Sequence, residues 1–395
     1  MKSLLLKYSA TICFLGVLFD GASQLIVPFS QRTSPSNPGV TIYNLKGDFT
    51  MIGNTNLTLQ NYGDNTSNNN PMIFVDIDND ASTVNSSSAQ LNLNGLSAGT
   101  NNCSQVVYAG LYWTGRAHNG TTSPNEFSVT QGGLSTLLNK QLVKLKGPNA
   151  GVYSTITATN TDIYYPQNGD GFMYSSYAEV TQYVQNNGVE GLYTVADIAL
   201  NEGNGGSTGF YGGWGMVVIY GNNELPLKDI TVFDGHAYVA GNITADFTIP
   251  LSGFNSTQSG PVNVKMGMMA GEGDRNISGD FFQIRNADNN AWVNLNHGGN
   301  SANNFFNSSI FTGANTRNPN LLNNTGLDIS MFNLPNTNNS IIANNQTTTT
   351  FRYGTTQDTY IIFSIVFAVD AYQPDIVGVN SLETINGIAV SSSPT

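Results

Sequence analysis

The chain has 395 residues, of which 39% are hydrophobic, 10% aromatic and only 10% charged, and its net charge is −12. Its polarity comes from 53 Asn and 42 Gly rather than from lysine and arginine, and both residues break helices and favour turns. This excludes a helix-rich cytosolic enzyme, a coiled coil and a binder of nucleic acid, while the aromatic and aliphatic content suffices for a packed core.

Residues 1–23 read as a secretory signal peptide. Lys2 and Lys7 give a basic start, an apolar run covers residues 8–19, and Gly21 and Ser23 are the small residues before a cut at Gln24. The run is too short to span a bilayer and no later segment is longer, so no transmembrane segment is expected after signal removal. The mature chain is expected to be secreted, extracellular or held at the cell surface. It keeps one cysteine, Cys103, which rules out an internal disulfide. No cysteine follows the cut, so no lipid anchor is expected. Residues 24–40, rich in Pro, Ser and Thr, read as a leader or linker.

From residue 41 short apolar stretches alternate with Asn/Gly/Ser/Asp clusters, the pattern of antiparallel sheet with many turns. Strands are expected at 72–77, 106–113, 141–145, 191–198, 215–220, 229–233, 262–269, 341–352 and 360–371. Residues 214–220 and 361–367 are apolar on both faces, so both are expected to be buried strands of a packed sandwich. One helix is expected at 177–185, where Val180, Tyr183 and Val184 share a side. The expected fold is all-β, with two packed β-sandwich, jelly-roll-like lobes and very little helix. Lobe 1 spans 41–240 and lobe 2 spans 241–372, divided at Gly241-Asn242. Residues 373–395 read as a linker-like tail.

Two acidic groups are candidate Ca²⁺ sites. Asp76, Asp78 and Asp80 alternate along an extended segment or loop, which places oxygen ligands on one side. The plainer reading is a solvated strand end whose Asp and Asn residues cap a turn. Glu272, Asp274 and Asp280 form a second, weaker set among glycines, with Arg275 as an internal counter-charge. Calcium is the one cofactor the sequence suggests. Trp292, beside Asn294 and Asn296, pairs an aromatic ring with amides in the way that contacts a sugar. Tyr112, Trp113 and Trp214 lie inside apolar strands and are read as core. Gly205-Gly206-Ser207-Thr208-Gly209 matches the string of a hydrolase nucleophile elbow but lacks a preceding strand and a following helix. His118, His236 and His297 are far apart, without the spacing of zinc ligands, and each is read as a loop or surface residue. No residue is assigned a catalytic role.

Several strings then stand in a familiar order. Val75-Asp76-Ile77-Asp78 leads to Asn85-Ser86-Ser87-Ser88-Ala89 and Ala109-Gly110-Leu111-Tyr112-Trp113. Tyr177-Ala178-Glu179-Val180-Thr181, Gly191-Leu192-Tyr193-Thr194-Val195, Leu225-Pro226-Leu227 and Phe233-Asp234-Gly235 follow. Asn303-Asn304-Phe305-Phe306-Asn307-Ser308-Ser309-Ile310, Arg317-Asn318-Pro319-Asn320, Gly326-Leu327-Asp328-Ile329 and Phe367-Ala368-Val369-Asp370 close the series. This order resembles the N-terminal region of large secreted, adhesin-like and gliding-motility-associated surface proteins of Bacteroidota and related bacteria, over roughly residues 41–375. The resemblance implies a non-enzymatic head domain, with immunoglobulin-like repeats and a sorting domain after it. Here the chain stops at Thr395, where the repeats would begin. The expected function is therefore an extracellular β-sandwich module of an adhesin or surface fibre, whose partners are glycans, a surface or other extracellular chains. The alternatives are a secreted carbohydrate-binding or carbohydrate-active protein, and a structural subunit that self-assembles by strand addition if a strand such as 360–371 lies at an edge.

Overall fold

The structure, a computed structural model, describes residues 25–93, 103–118, 125–166, 172–241, 245–372, 384–385 and 388–389. The signal peptide and most of the expected tail lie outside the described residues. The fold is all-β. One eleven-stranded sheet runs in the order Ile163–Tyr164, Met173–Glu179, Gln105–Arg116, Gly212–Gly221, Tyr43–Thr55, Leu227–Val239, Tyr360–Asp370, Val264–Gly271, Leu327–Leu334 and Ile310–Phe311. Leu25–Gln31 completes it, antiparallel to Leu227–Val239.

This sheet folds back on itself. Gly215 and Met269 stand on strands four places apart, roughly 19 Å on a flat sheet with about 4.8 Å per step. Yet a methyl group placed on Gly215 would lie 2.7 Å from Met269 Cε, and one on Gly53 would lie 2.3 Å from Ile329 Cδ1. The bend falls on Tyr43–Thr55. Its residues 43–46 pair with 227–230, and its residues 47–55 pair with 213–221. One strand thus belongs to both halves. The facing surfaces bury Phe49, Met51, Val217 and Ile219 from one half against Met269, Ile329, Ile361 and Val366 from the other.

Each half carries a cover on its outer face. A five-stranded sheet of Ser154–Thr157, Leu142–Lys146, Gly191–Ala196, Ser86–Leu91 and Arg317–Asn318 covers the first. Its Leu145, Tyr193 and Val195 pack on Trp113, Trp214 and Met216. A four-stranded sheet of Ala245–Ser252, Thr348–Thr355, Phe281–Arg285 and Trp292–Asn294 covers the second. Its Phe282, Ile284 and Phe351 pack on Met268, Ile365 and Phe367. Side-chain alternation explains the layering: along Gly212–Gly221, Met216, Val218 and Tyr220 point to the cover, whereas Val217 and Ile219 point to the fold-back. Leu227–Val239, before Gly241, pairs with Tyr360–Asp370, and Arg317–Asn318, well after it, joins the cover of the first half.

Several expectations change. Tyr177–Glu179 ends the strand Met173–Glu179, and the helix starts only at Thr181, running Thr181–Asn187. Tyr360–Asp370 is no edge, because Leu227–Val239 and Val264–Gly271 flank it. His236 is wholly buried in Leu227–Val239, where its Nδ1 lies 2.9 Å from Ser175 Oγ, and desolvation lowers its pKa to about 3. Trp113 and Trp214 are core residues whose indole N–H groups donate to the Lys140 carbonyl and to Ser87 Oγ. Among the described residues no helix is long and apolar enough to cross a membrane.

The fold-back gives a direct test. Gly53→Ala should destabilise the chain by about 1–3 kcal/mol, because its Cβ has backbone and Ile329 in its way. Gly151→Ala, where nothing lies within 4 Å, should stay within about 0.5 kcal/mol of the parent. Urea midpoints at unchanged slope measure both.

Candidate functional site

Asp76, Asp78 and Asp80 sit on the loop after Met72–Phe74. Their oxygens are turned to the loop itself. Asp76 accepts the Ser86 hydroxyl at 2.8 Å, and Asp80 accepts the Ser82 N–H at 2.9 Å and its hydroxyl at 2.7 Å. Asp78 accepts the Asp80 N–H at 3.0 Å and the Tyr153 hydroxyl. The Ser82 hydrogen bonds hold Asp80 below the usual carboxylate range, whereas partial burial and then Asp78 raise Asp76. A cation is already close: Lys144 donates to the Ser82 carbonyl at 2.8 Å and pairs with Asp197 at 2.8 Å. These contacts are those of a turn capped by its own carboxylates.

Glu272, Asp274 and Asp280 are brought together with two acids that the sequence did not single out, Asp328 and Asp358. All five are buried, at 0–4% exposure. Asp358 accepts the Asp274 N–H at 2.9 Å, and Asp274 accepts the Asn68 N–H at 3.1 Å. Thr355 Oγ1 donates to Asp280 at 3.1 Å and accepts the Asp358 N–H at 2.8 Å. Asp328 gathers the N–H groups of Asn307, Ser308 and Ser309, each at 3.0 Å. Arg275, the expected counter-charge, donates instead to the Leu322 carbonyl at 3.2 Å. Desolvation is the leading cause at every acid. It pushes Asp274 to about 6, Asp328 to about 7, Asp358 to about 8 and Asp280 to about 9, and Glu272 well above its ordinary range. Among the described residues no three acidic, His or Cys side chains converge as a metal-ligand set. Carboxyls this deeply buried cannot touch a polymer; they can hold protons inside the sheet stack.

The third group faces solvent. On the outer surface of the four-stranded sheet, Trp292 lies directly opposite Arg285, and Gln283 lies opposite both Asn294 and Arg352. Arg285 Cζ is 3.9 Å from the Trp292 ring centroid, and Arg352 Cζ is 4.8 Å from it and 5.4 Å from the Phe281 centroid. A hydrogen-bonded row runs across three strands: Arg352 Nε donates to Gln283 Oε1 at 2.7 Å, and Gln283 Nε2 donates to Asn294 Oδ1 at 2.6 Å. Asn296 is exposed just past the strand end. The hairpin that creates this face turns on asparagines. Asn286 Oδ1 accepts the N–H groups of Asn290 and Ala291, each at 2.9 Å, and Asn289 takes a left-handed φ of 54°. Arg285, Arg352 and Gln283 were missed in the sequence. The Ala-Asp-Asn-Asn turn signal before Trp292 would have paired Phe281–Arg285 with it.

These features define a β-rich module of stacked sheets. No protein-family model matches the chain, and no curated protein matches it. The chain shows a remote likeness to several solved structures. One is BuGH86wt in complex with neoagarooctaose (8% identity, 70% of this chain and 34% of that chain, TM-score 0.23). Another is the major capsid protein P2 of bacteriophage PM2 (10% identity, 73% and 99%, TM-score 0.19). A third is PNGF-II (9% identity, 83% and 66%, TM-score 0.21). The chain thus spans about a third of the length of the BuGH86 chain.

The five buried acids set a pH dependence. Unfolded Asp and Glu titrate near about 3.9 and 4.3, so folding raises their pKa values and favours the neutral form. The stability this brings is full below about pH 4 and is lost as pH rises through about 6 to about 9. Calorimetry should find a lower Tm at pH 9 than at pH 5, and Asp280→Asn with Asp358→Asn should shrink the difference.

Proposed function

We propose that the chain is a non-enzymatic module of a secreted or cell-surface protein, the head region of an adhesin or surface fibre, and that it contacts carbohydrate through the outer face of its four-stranded sheet. One observation carries this reading: Trp292, Arg285, Gln283, Asn294 and Arg352 share one solvent-facing surface, with the amides already fixed by hydrogen bonds. The half-buried indole, flanked by two guanidiniums, offers apolar surface to a sugar, and the ordered amides and guanidiniums supply the polar edge contacts. The strands beneath are rigid, since Phe282, Ile284 and Phe351 are locked in the core, so little ordering entropy is lost on binding. A glycosidase needs two carboxyls flanking its substrate, and the five acids brought together among the described residues lie inside the sheet stack.

Gel electrophoresis through soluble polysaccharides tests the reading. At least one polysaccharide should retard the chain. Trp292→Ala should weaken that binding roughly fivefold or more, since a stacked ring contributes about 1 kcal/mol. Asp76→Asn with Asp78→Asn should leave it unchanged. Retardation that ignores Trp292→Ala would refute the proposed face.

A further inference from the structure

The same face carries a charge that neutral sugar does not require. The chain has 14 Lys and Arg against 26 Asp and Glu, so cations are scarce, and most of those described are committed inside the fold. Arg32 is held by Asp162 and Asp234, Lys144 by Asp197, and Lys228 and Lys265 by Asp48. Arg116 and Arg317 donate to backbone carbonyls. Arg285 differs. Among the described residues no carboxylate pairs with it; its contact is the Trp292 ring. Asp288, exposed in the hairpin turn, is the nearest acid in sequence. Arg352 stands diagonally across the sheet from Arg285, a separation of about 7–8 Å between such neighbours, and also lies against Trp292. An anion placed on this face would meet the Arg285 charge directly.

Resting on the carbohydrate reading above, we infer that the ligand of this face is an anionic polysaccharide whose sugars carry carboxylates, that is, uronic acid residues. Guanidinium chemistry favours carboxylate, because a planar carboxylate meets the N–H edge of an arginine with two parallel hydrogen bonds. The sugar bearing it then lies within reach of the Trp292 platform and of the Gln283–Asn294 amides.

The test compares polygalacturonate with highly methyl-esterified pectin, the same backbone with its charge removed, and with κ-carrageenan as a sulfated polymer. Affinity electrophoresis of the full chain should show about tenfold tighter binding to polygalacturonate than to the ester, the worth of one charge-assisted contact. Raising the salt should erase the difference. Arg285→Gln should abolish the preference while Trp292→Ala weakens binding to both polymers, with the Tm of each variant unchanged. Equal affinity for the acid and its ester would overturn the inference and leave the carbohydrate reading intact. Tighter binding of κ-carrageenan than of polygalacturonate would overturn the carboxylate assignment. Failure of all three polymers to retard the chain would overturn both.

Discussion

The close approach of the two halves of one continuous sheet governs this molecule. Both halves expose apolar side chains on the face they share, and neither can be solvated there. Their backbones meet so tightly that Gly53, Gly215 and Gly267 each leave room for a side chain from the opposite half, namely Ile329, Met269 and Met51. Everything outward follows. Once the inner faces are committed to each other, the outer faces need covers, and the five- and four-stranded sheets supply them. The cover of the second half then has one face in the core and one in water, and the proposed ligand face is that wet side.

Polarity is managed inside the stack rather than only at the surface. Asn54, Asn56, Asn85 and Asn324 are wholly buried and bridge segments distant in sequence. Asn56 donates to Asn85 and to the Val195 carbonyl, while Asn54 donates to the carbonyls of Ser88 and Pro319. Each bridge satisfies backbone groups that irregular loops would otherwise leave unpaired. At the fold-back, Arg32 reaches Asp162 at 2.6 Å and Asp234, and lies 3.9 Å over the Tyr177 ring. Burial opposes its charge, but Asp234 and the surrounding groups hold its pKa up. The low content of charged residues thus goes with an interior built on amides and a few locked ion pairs.

The all-β class was legible from composition and alternation, and the apolar runs around Trp113, Trp214 and Phe367 fell where core strands lie. Tyr43–Thr55 was not legible. No strand was expected there: Gly53 leaves the space that Ile329 fills, and Asn54 supplies the amide that two carbonyls accept, needs that only the folded partners reveal. His236 likewise looks like a loop residue until Leu227–Val239 is seen to run through the middle of the sheet. Trp292 was readable as a ring beside amides, though the structure leaves it half-buried between arginines. Its arginines were not, because they arrive from strands whose register only tertiary pairing fixes. Asp328 and Asp358 joined the buried acids for the same reason: they lie 48 and 78 residues beyond Asp280.

The placement of Leu25–Gln31 has a mechanical consequence. It and Tyr360–Asp370 both run antiparallel to Leu227–Val239, one on either side. Leu25 faces Ala237 towards one end of that strand, and Asp370 faces Lys228 at the other. Tension drawn through residues 25 and 370 therefore slides the two outer strands in opposite directions along the one between them. The ladder bonds are strained together, in shear, and none can be peeled open before its neighbours. A module strung into a chain by these two points would resist extension through the whole width of that three-strand ribbon, with Arg32 as the pin at its end.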